Sequence, residues 1–396
     1  MKWITDIDLR DKRALVRVDF NVPLNDAGQI TDDARIQAAL PTLSYVLDHG
    51  GQLIVASHLG RPNDQFVAKM SLRPAADRLG QLLGRAVQMA PDCVGAAVTD
   101  LVAHTPKDKI VMLENLRFHA QEQANDDDFG KQLAALCDIY INDAFAVSHR
   151  AHASVAAIVN HVNIAAGGFL LKREMDYFHQ AMTDPQRPLA AIIGGAKVSS
   201  KIDVLTHLLK RVDMLLVGGA MANTFLKAGG LNVGISKVED DFLETARQVV
   251  SQAAAHGVRL LLPTDVVVAA EFSANAATAV ARADQMPPDQ MALDIGPETI
   301  SLFSQALATA RTIIWNGPMG VFELAAFARG TNGVAQCVAQ SDALTIIGGG
   351  DTGAAVHQAG VADQMSYIST GGGAFLELME GKTLPALAAL EGRCAA

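Results

Sequence analysis

The fold class that this sequence predicts is α/β, built as two doubly wound parallel-sheet (Rossmann-like) domains joined by a helix, with a cleft between them. Three observations predict it. Short apolar runs without polar alternation recur along the chain, each followed by a helical stretch, as for strands covered on both faces. Small residues abound while aromatics reach only 5%, a mixture that lets helices approach sheets closely. The length of 396 residues exceeds one ordinary core and fits two or three domains.

In the first half, strands are expected at 14–20, 53–57, 110–113 and 139–144. Helices are expected at 41–48, closed by Gly50, and at 72–83, opened by Ser71 as N-cap and closed by Gly84. The second half repeats the grammar with strands at 189–193, 214–217 and 344–347, which end in Gly194-Gly195, Gly218-Gly219 and Gly348-Gly349-Gly350. Further strands are expected at 259–262, 266–269 and 312–315, and helices at 199–211, 239–256 and 333–340. No solenoid-like period is present. The join is placed near Gly167-Gly168, ahead of a helix-like stretch at 169–182 that closes at Asp184-Pro185. Two readings of that stretch stand side by side: a stiff connector between two lobes, or a surface helix of one domain.

Composition narrows the function classes. Half of the residues are hydrophobic and 19% are charged, which supplies cores and leaves little room for long disorder. The 32 basic against 42 acidic side chains give a net charge of −10, which argues against a general nucleic-acid or anionic-membrane binder. Cys93, Cys137, Cys337 and Cys394 are far apart and form no CxxC pair, and residues 1–10 mix charges of both signs. Inert thiols in a reduced cytoplasm are therefore expected. No apolar stretch reaches the roughly 18 residues that a membrane span requires.

The second half carries the elements of an anion seat. In Gly348-Gly349-Gly350-Asp351-Thr352 the glycines let backbone N–H groups approach a ligand, and Asp351 is placed to face a metal held by phosphates. Gly194-Gly195-Ala196-Lys197 is similar, and Lys201, four residues on, would share a helix face with Lys197. Open α/β sheets bind ligands at the carboxyl ends of their strands, so a nucleotide polyphosphate with Mg²⁺ fits. One Gly-Gly after a strand is more often a tight turn, but three such endings, two of them with Lys or Asp, favour function. Neither GxxxxGK[ST] nor a post-strand GxGxxG occurs, and Gly381-Lys382-Thr383 has Leu376 where a P-loop needs glycine.

The first half differs. Asp19-Phe20-Asn21 closes the first strand, and Ser57-His58-Leu59-Gly60-Arg61-Pro62 follows the second. Arg117 follows Glu114-Asn115-Leu116, Arg150 stands in Ser148-His149-Arg150-Ala151-His152, and Arg35 precedes a helix. Residues 1–170 hold 16 basic and 20 acidic side chains, net −4, so Arg and His gathered at strand ends read as a small-anion pocket. Taken singly, each Arg is as well explained as a surface charge and each His as packing. No HExxH or metal-spaced His/Cys set is present, so a structural zinc site is not expected, and no G-x-S-x-G elbow or Cys–His signature is found.

A nucleotide seat and a small-anion pocket together suit phosphoryl transfer, where the protein mainly positions reactants and neutralises oxygens. No dedicated base stands in the first-half cluster, which is harmless if the acceptor is a carboxylate, already ionised at neutral pH. A binding or sensor protein that closes on an anionic metabolite, or a kinase acting on acetate or an amino acid, are the rival readings.

Ten ordered motifs then match a known family: VDFNVPL at 18–24, DDARI at 32–36, SHLGRP at 57–62, ENLRF at 114–118 and NDAF at 142–145, followed by HRAHAS at 149–154, GGAKVSSK at 194–201, WNGPMGVFE at 315–323, GGGDT at 348–352 and STGGGAFLE at 369–377. Over nearly its whole length the chain resembles the phosphoglycerate kinase family, glycolytic enzymes that move a phosphoryl group between 1,3-bisphosphoglycerate and ADP. The resemblance implies that Asp19, Phe20, Asn21, Arg35, His58, Leu59, Gly60, Arg61, Arg117 and Arg150 bind 3-phosphoglycerate or its acyl phosphate. It implies that Lys201, Glu323, Gly349, Gly350, Asp351 and Thr352 hold ATP or ADP, with Glu323 at the ribose, Asp351 acting through Mg²⁺ and Gly296 lining the adenosine side. Arg35 and Lys197 would stabilise the phosphoryl group in flight, with N–H groups at Gly371, Gly372 and Gly373.

Hinge closure, a monomer and a cytoplasmic location are implied as well. So is a division into 1–168, a helix at 169–184 and a nucleotide domain at 185–372, with 373–396 returning to the first domain. Three features depart from the commonest family pattern: Ser200, Ala146-Val147-Ser148 and Phe375. None of them removes a group with an implied catalytic role.

Overall fold

Continuously apolar runs fold here into strands whose two faces are both covered. The computed structural model describes residues 1–392, so Cys394 and the last residues of the expected returning tail lie outside the described residues. The chain forms two compact units, Met1–Met175 with the chain from Thr383, and Asp176–Lys382. The division falls inside the helix Phe169–Met182.

The first unit contains β1 (Arg13–Arg17), β2 (Gln52–Ala56), β3 (Val87–Met89), β4 (Ile110–Met112), β5 (Ile139–Asn142) and β6 (Ile164–Gly167). They form one parallel sheet in the order β3-β4-β2-β1-β5-β6. The core joins Val16, Phe20, Leu43, Val55, Leu79 and Ile141. Residues 18–20, expected within the first strand, lie beyond it at the sheet's carboxyl edge. There Val18 N–H still donates to Ala56 O at 3.0 Å, and Phe20 N–H donates to Ser57 Oγ at 2.8 Å. The segment Pro385–Gly392 belongs to this unit, with Ala386 packed among Ala144, Val147 and Val155.

Two helix starts differ from expectation. The helix expected at 41–48 begins at Ala34 and runs to Asp48, so Pro41 lies in its interior instead of its first turn. Ser71 is not the N-cap of Arg73–Leu83, because Leu72 holds that position. The Ser71 hydroxyl is drawn to Glu114 at 2.7 Å and also accepts the Arg73 N–H at 3.2 Å. Gly84 closes the helix in the left-handed conformation at φ 61°, as expected.

The second unit contains β7 (Leu189–Ile193), β8 (Met214–Val217), β9 (Arg259–Leu261), β10 (Asp265–Ala269), β11 (Thr278–Arg282), β12 (Met291–Ile295), β13 (Thr312–Asn316), β14 (Leu344–Gly348) and β15 (Tyr367–Ile368). Six of them form a parallel sheet, β15-β14-β13-β7-β8-β9, while β11-β10-β12 make a separate antiparallel sheet. The expected strand at 266–269 is β10, in that smaller sheet. Its neighbour β11 is largely exposed and escapes a search for apolar runs.

The helix expected at 199–211 is only Ile202–Leu208, with Lys201 in its N-cap position. The helix expected at 333–340 begins at Arg329, and that at 239–256 is Leu243–Ala255 behind a short 3₁₀ turn. Helix Gly372–Met379 packs on Ile202–Leu208, which keeps it in the second unit. Among the described residues no helix is long and apolar enough to cross a membrane.

Candidate functional site

The carboxyl edge of the first sheet gathers most of the first-half residues. Arg35 donates to Asp19 Oδ2 at 2.9 Å, and Asp19 Oδ1 accepts the Asn21 N–H at 3.1 Å. Asn21 Oδ1 in turn accepts the Gly60 N–H at 2.8 Å, and Arg117 donates to Gly60 O at 2.8 Å. Buried Asn115 fastens this loop, because its amide bonds both backbone groups of Leu59 while its Oδ1 accepts the Arg117 N–H. Phe20 and Leu59 are buried beneath these polar groups. Arg150 shares a hydrogen bond with His149 Nε2 at 3.2 Å. Arg61 is exposed, and the structure does not tie it to the others.

Electrostatically this edge is a crowd of bases. Burial, Arg150 and Arg17 lower the Arg117 guanidinium well below its usual value, to about 10. Burial, followed by Arg17, Arg117 and Arg35, holds His58 well below the usual imidazole range. Arg17 approaches His58 Nδ1 at 3.3 Å, a contact that suits a neutral ring accepting at that nitrogen. His152 is lowered to about 3, first by burial and then by Arg17, Arg117 and Arg150. Arg117 Nε, His149 Nδ1 and His152 Nδ1 are buried without hydrogen-bond partners, although buried polar groups are nearly always satisfied. The unmet Arg117 donor beside the charges of Arg17 and Arg150 is the pattern expected of a seat for an anion.

Sequence reasoning missed the support beneath this seat. Arg17 is fully buried, donates to Ser154 Oγ at 3.1 Å and to Val18 O at 2.6 Å, and lies 4.0 Å from Glu122 Oε1. Glu122 is fully buried too and accepts both the N–H and the hydroxyl of Ser154. Burial raises its carboxyl above the usual range, opposed by Arg17. One signal was available: Arg17 interrupts the apolar run 14–18.

In the second unit a cavity of about 480 Å³ is lined in part by Gly219, Val266, Leu293, Val321, Glu323 and Asp351. Its size and largely apolar wall suit a nucleoside. At the end of β13, Lys201 donates to Asn316 Oδ1 at 2.5 Å. Burial lowers the Lys201 ammonium, opposed by Glu380 and Asp351. Gly349 caps the helix Gly350–Gln358 at φ 94°, so the first N–H groups of that helix lack intrahelical partners. Thr352 is buried, and its hydroxyl oxygen accepts the Gly317 N–H at 2.7 Å, binding the helix to the end of β13.

Gly372, at the start of the next helix, lies so close that a Cβ there would sit 3.0 Å from Gly349 Cα. Two helix amino ends therefore adjoin, an arrangement that favours an anion. Gly371 contributes less than expected, since its N–H is used by Ser369 Oγ at 3.2 Å. Phe375 fills the space over Gly348, where any Cβ would overlap its ring.

Two expectations need correction here. Lys197 and Lys201 do not share a helix face: Lys197 is exposed on the loop before the helix, because Gly195 turns the chain at φ 120° and residues 198–201 form a turn. Gly194 and Gly218-Gly219 are demanded by packing. A Cβ on Gly194 would overlap Pro318 O, and one on Gly219 would lie 2.6 Å from Gly195 N. Gly296 rests on the carboxylate of Asp265, which caps the following helix by accepting the Glu298 and Thr299 N–H groups.

Comparison with known proteins gives a consistent result. The family model described as phosphoglycerate kinase matches residues 4–382. Curated phosphoglycerate kinases from Desulfosudis oleivorans and Geotalea uraniireducens are 57% and 55% identical over 391 and 392 residues, covering 99% of this chain and 99% and 98% of theirs. The solved phosphoglycerate kinase of Coxiella burnetii is 42% identical with a TM-score of 0.90, covering 98% of both chains. That of Pyrococcus horikoshii is 29% identical with a TM-score of 0.86, covering 100% of both. Fold, ordered motifs and relatives agree, and the chain belongs to the phosphoglycerate kinase family.

Proposed function

We propose that the chain catalyses reversible phosphoryl transfer from 1,3-bisphosphoglycerate to ADP, giving 3-phosphoglycerate and ATP. In the forward direction the bond between the acyl oxygen and phosphorus breaks, and a bond from an ADP β-phosphate oxygen to phosphorus forms. The observation that carries this reading is the anion seat of the first unit, where buried Arg117 keeps an unpartnered Nε among like charges. Its many cationic donors suit a substrate that carries a phosphate in addition to its carboxyl group.

Asp19, Asn21, Arg35, His58, Arg61, Arg117 and Arg150 bind the phosphoglycerate, with Phe20, Leu59 and Gly60 shaping the loop. Lys201, Glu323 and residues 349–352 hold the nucleotide. The oxygen donor of Asp351, exposed at the cavity, fits Mg²⁺, a hard cation that shares its ligands with phosphate oxygens. When bound there, Mg²⁺ neutralises phosphate charge. Arg35 and Lys197 stabilise the phosphoryl group during transfer, with the N–H groups of Gly372 and Gly373 and, once freed from Ser369, that of Gly371. The departing or attacking carboxylate is ionised at neutral pH, so no general base is required.

Because donor and acceptor are held by different units, the cycle includes a step that brings them together. The protein acts as a monomer in the cytoplasm. Free thiols at Cys93, Cys137 and Cys337 suit a reducing compartment, and the net charge of −10 disfavours nucleic-acid and membrane partners. A coupled assay with MgATP and either 3-phosphoglycerate, acetate or glutamate tests the reading. Turnover confined to 3-phosphoglycerate is expected. Preference for acetate or glutamate, or no turnover with any of them, would overturn it.

A further inference from the structure

Outside the site described above, the structure brings together three metal-ligand side chains that sequence spacing did not suggest. Asp92, Cys93 and His119 each offer one donor atom, and these atoms all lie within 4.8 Å of one another. Asp92-Cys93 follows β3 and His119 follows β4, and the two loops are joined by hydrogen bonds from Ala90 N–H to Met112 O at 2.8 Å and from Glu114 N–H to Asp92 O at 3.3 Å. His119 Nε2 already meets Asp92 Oδ1 at 2.7 Å, and the thiol of Cys93 is buried on the inner side. Asp92 and His119 are partly exposed, so the cluster is open to solvent on one side.

We propose that Asp92, Cys93 and His119 form a zinc-binding site. One sulfur, one imidazole nitrogen and one carboxylate oxygen match the donors that Zn²⁺ takes, whereas Mg²⁺ and Ca²⁺ prefer oxygen alone. Bound as a thiolate, a carboxylate and a neutral imidazole, the three ligands balance a dication, so a partly buried site carries no net charge. On binding, the thiol proton leaves to solvent, the His119 proton that faces Asp92 moves from Nε2 to Nδ1 as the neutral ring changes tautomer, and Zn–S and Zn–N bonds form. Around a tetrahedral ion the donor atoms would stand roughly 3 to 4 Å apart, so the Asp92–His119 pair, now at 2.7 Å, opens slightly. The fourth position faces solvent and takes water. His119 ends the short segment that carries Arg117, so a bound ion would also fix the backbone that presents this guanidinium.

The test uses the full chain, stripped with chelator and dialysed against low-micromolar Zn²⁺, with bound metal measured by elemental analysis. About one Zn²⁺ per chain is expected, and Co²⁺ in its place should show thiolate-to-cobalt charge-transfer absorption. Cys93→Ala, His119→Gln and Asp92→Asn should each weaken binding by about tenfold or more, while Cys337→Ala leaves it unchanged. Bound zinc no higher than in the dialysis buffer would overturn the site, as would wild-type affinity in the variants of Cys93 and His119. Circular dichroism checks folding. If Cys93→Ala fails to fold, the partly exposed positions Asp92 and His119 carry the test, and unchanged affinity in both overturns the proposal.

Discussion

Replacing Arg117 by methionine separates a guanidinium kept for binding from one kept for stability. Its pKa in the folded chain, lowered to about 10, means that folding disfavours the charged form. At about 1.4 kcal/mol for each tenfold change in proton affinity, this costs roughly 3 kcal/mol. For a base with a lowered pKa the cost is fully present below about pH 10 and fades only as pH rises from there toward the unfolded guanidinium's own pKa, so it is felt at neutral pH. Methionine removes that cost and keeps much of the side-chain volume. It also forfeits the hydrogen bond to Gly60 O at 2.8 Å, about 1.5–3 kcal/mol for a charged donor. The two terms nearly cancel, so without ligand Arg117→Met should stay within about 2 kcal/mol of wild type. Thermal unfolding with and without 3-phosphoglycerate reads both quantities. Wild type at a hundred times Kd should gain about 2.7 kcal/mol, and the variant should lose most of that gain. A variant that is much less stable without ligand yet keeps the full ligand-induced shift would show that Arg117 is a structural tie, and the anion-seat argument would fail.

Three other predictions rest on separate observations. Arg35→Ala should lower turnover by about a hundredfold or more with nucleotide affinity intact, and Lys201→Met should weaken ADP binding measured by calorimetry; the opposite pattern would exchange their roles. Gly219→Ala places a Cβ 2.6 Å from Gly195 N at φ 70°, so it should cost at least about 2 kcal/mol, seen as a lower Tm. Burial raises the Asp294 carboxyl to about 7, so the folded chain keeps a proton that the unfolded chain loses near pH 4. Stability should therefore fall as pH climbs from about 4 to about 7, and Asp294→Asn should remove part of that slope in urea unfolding. An unchanged slope would contradict the burial argument.

The central strands of both sheets were legible because burial on two faces leaves an uninterrupted apolar run, as in β2, β5 and β7. The exposed strand β11 leaves no such run and was missed. The basic seat was legible one residue at a time, since Arg and His at strand ends stand out in an acidic chain. Its foundation was not: Glu122 and Ser154 are 32 residues apart, and only folding shows that they bury a shared ion-pair network with Arg17. Glycine runs misled for a physical reason. The same absence of Cβ serves a phosphate cradle and a close backbone crossing, and Gly194 and Gly219 serve the crossing.

The anion sites proposed for the two units are built by opposite means, and the difference has consequences for stability. The first unit concentrates full charges, and burial, reinforced by each added base, depresses proton affinity there: His58, Arg117 and His152 all carry that mark. The second unit relies more on backbone N–H groups at the adjoining helix ends 350 and 372, which carry partial charge without repelling one another as whole cations do. The first arrangement is expensive when empty and should relax when an anion sits in it, so its folding free energy should be coupled to an anionic ligand. The second costs little when empty, because the glycines meet without side chains and Thr352 anchors the helix to β13 whether or not phosphate is present. Inorganic anions should therefore stabilise the first unit more than the second, which follows from where whole charges are buried and not from how many contacts a ligand makes.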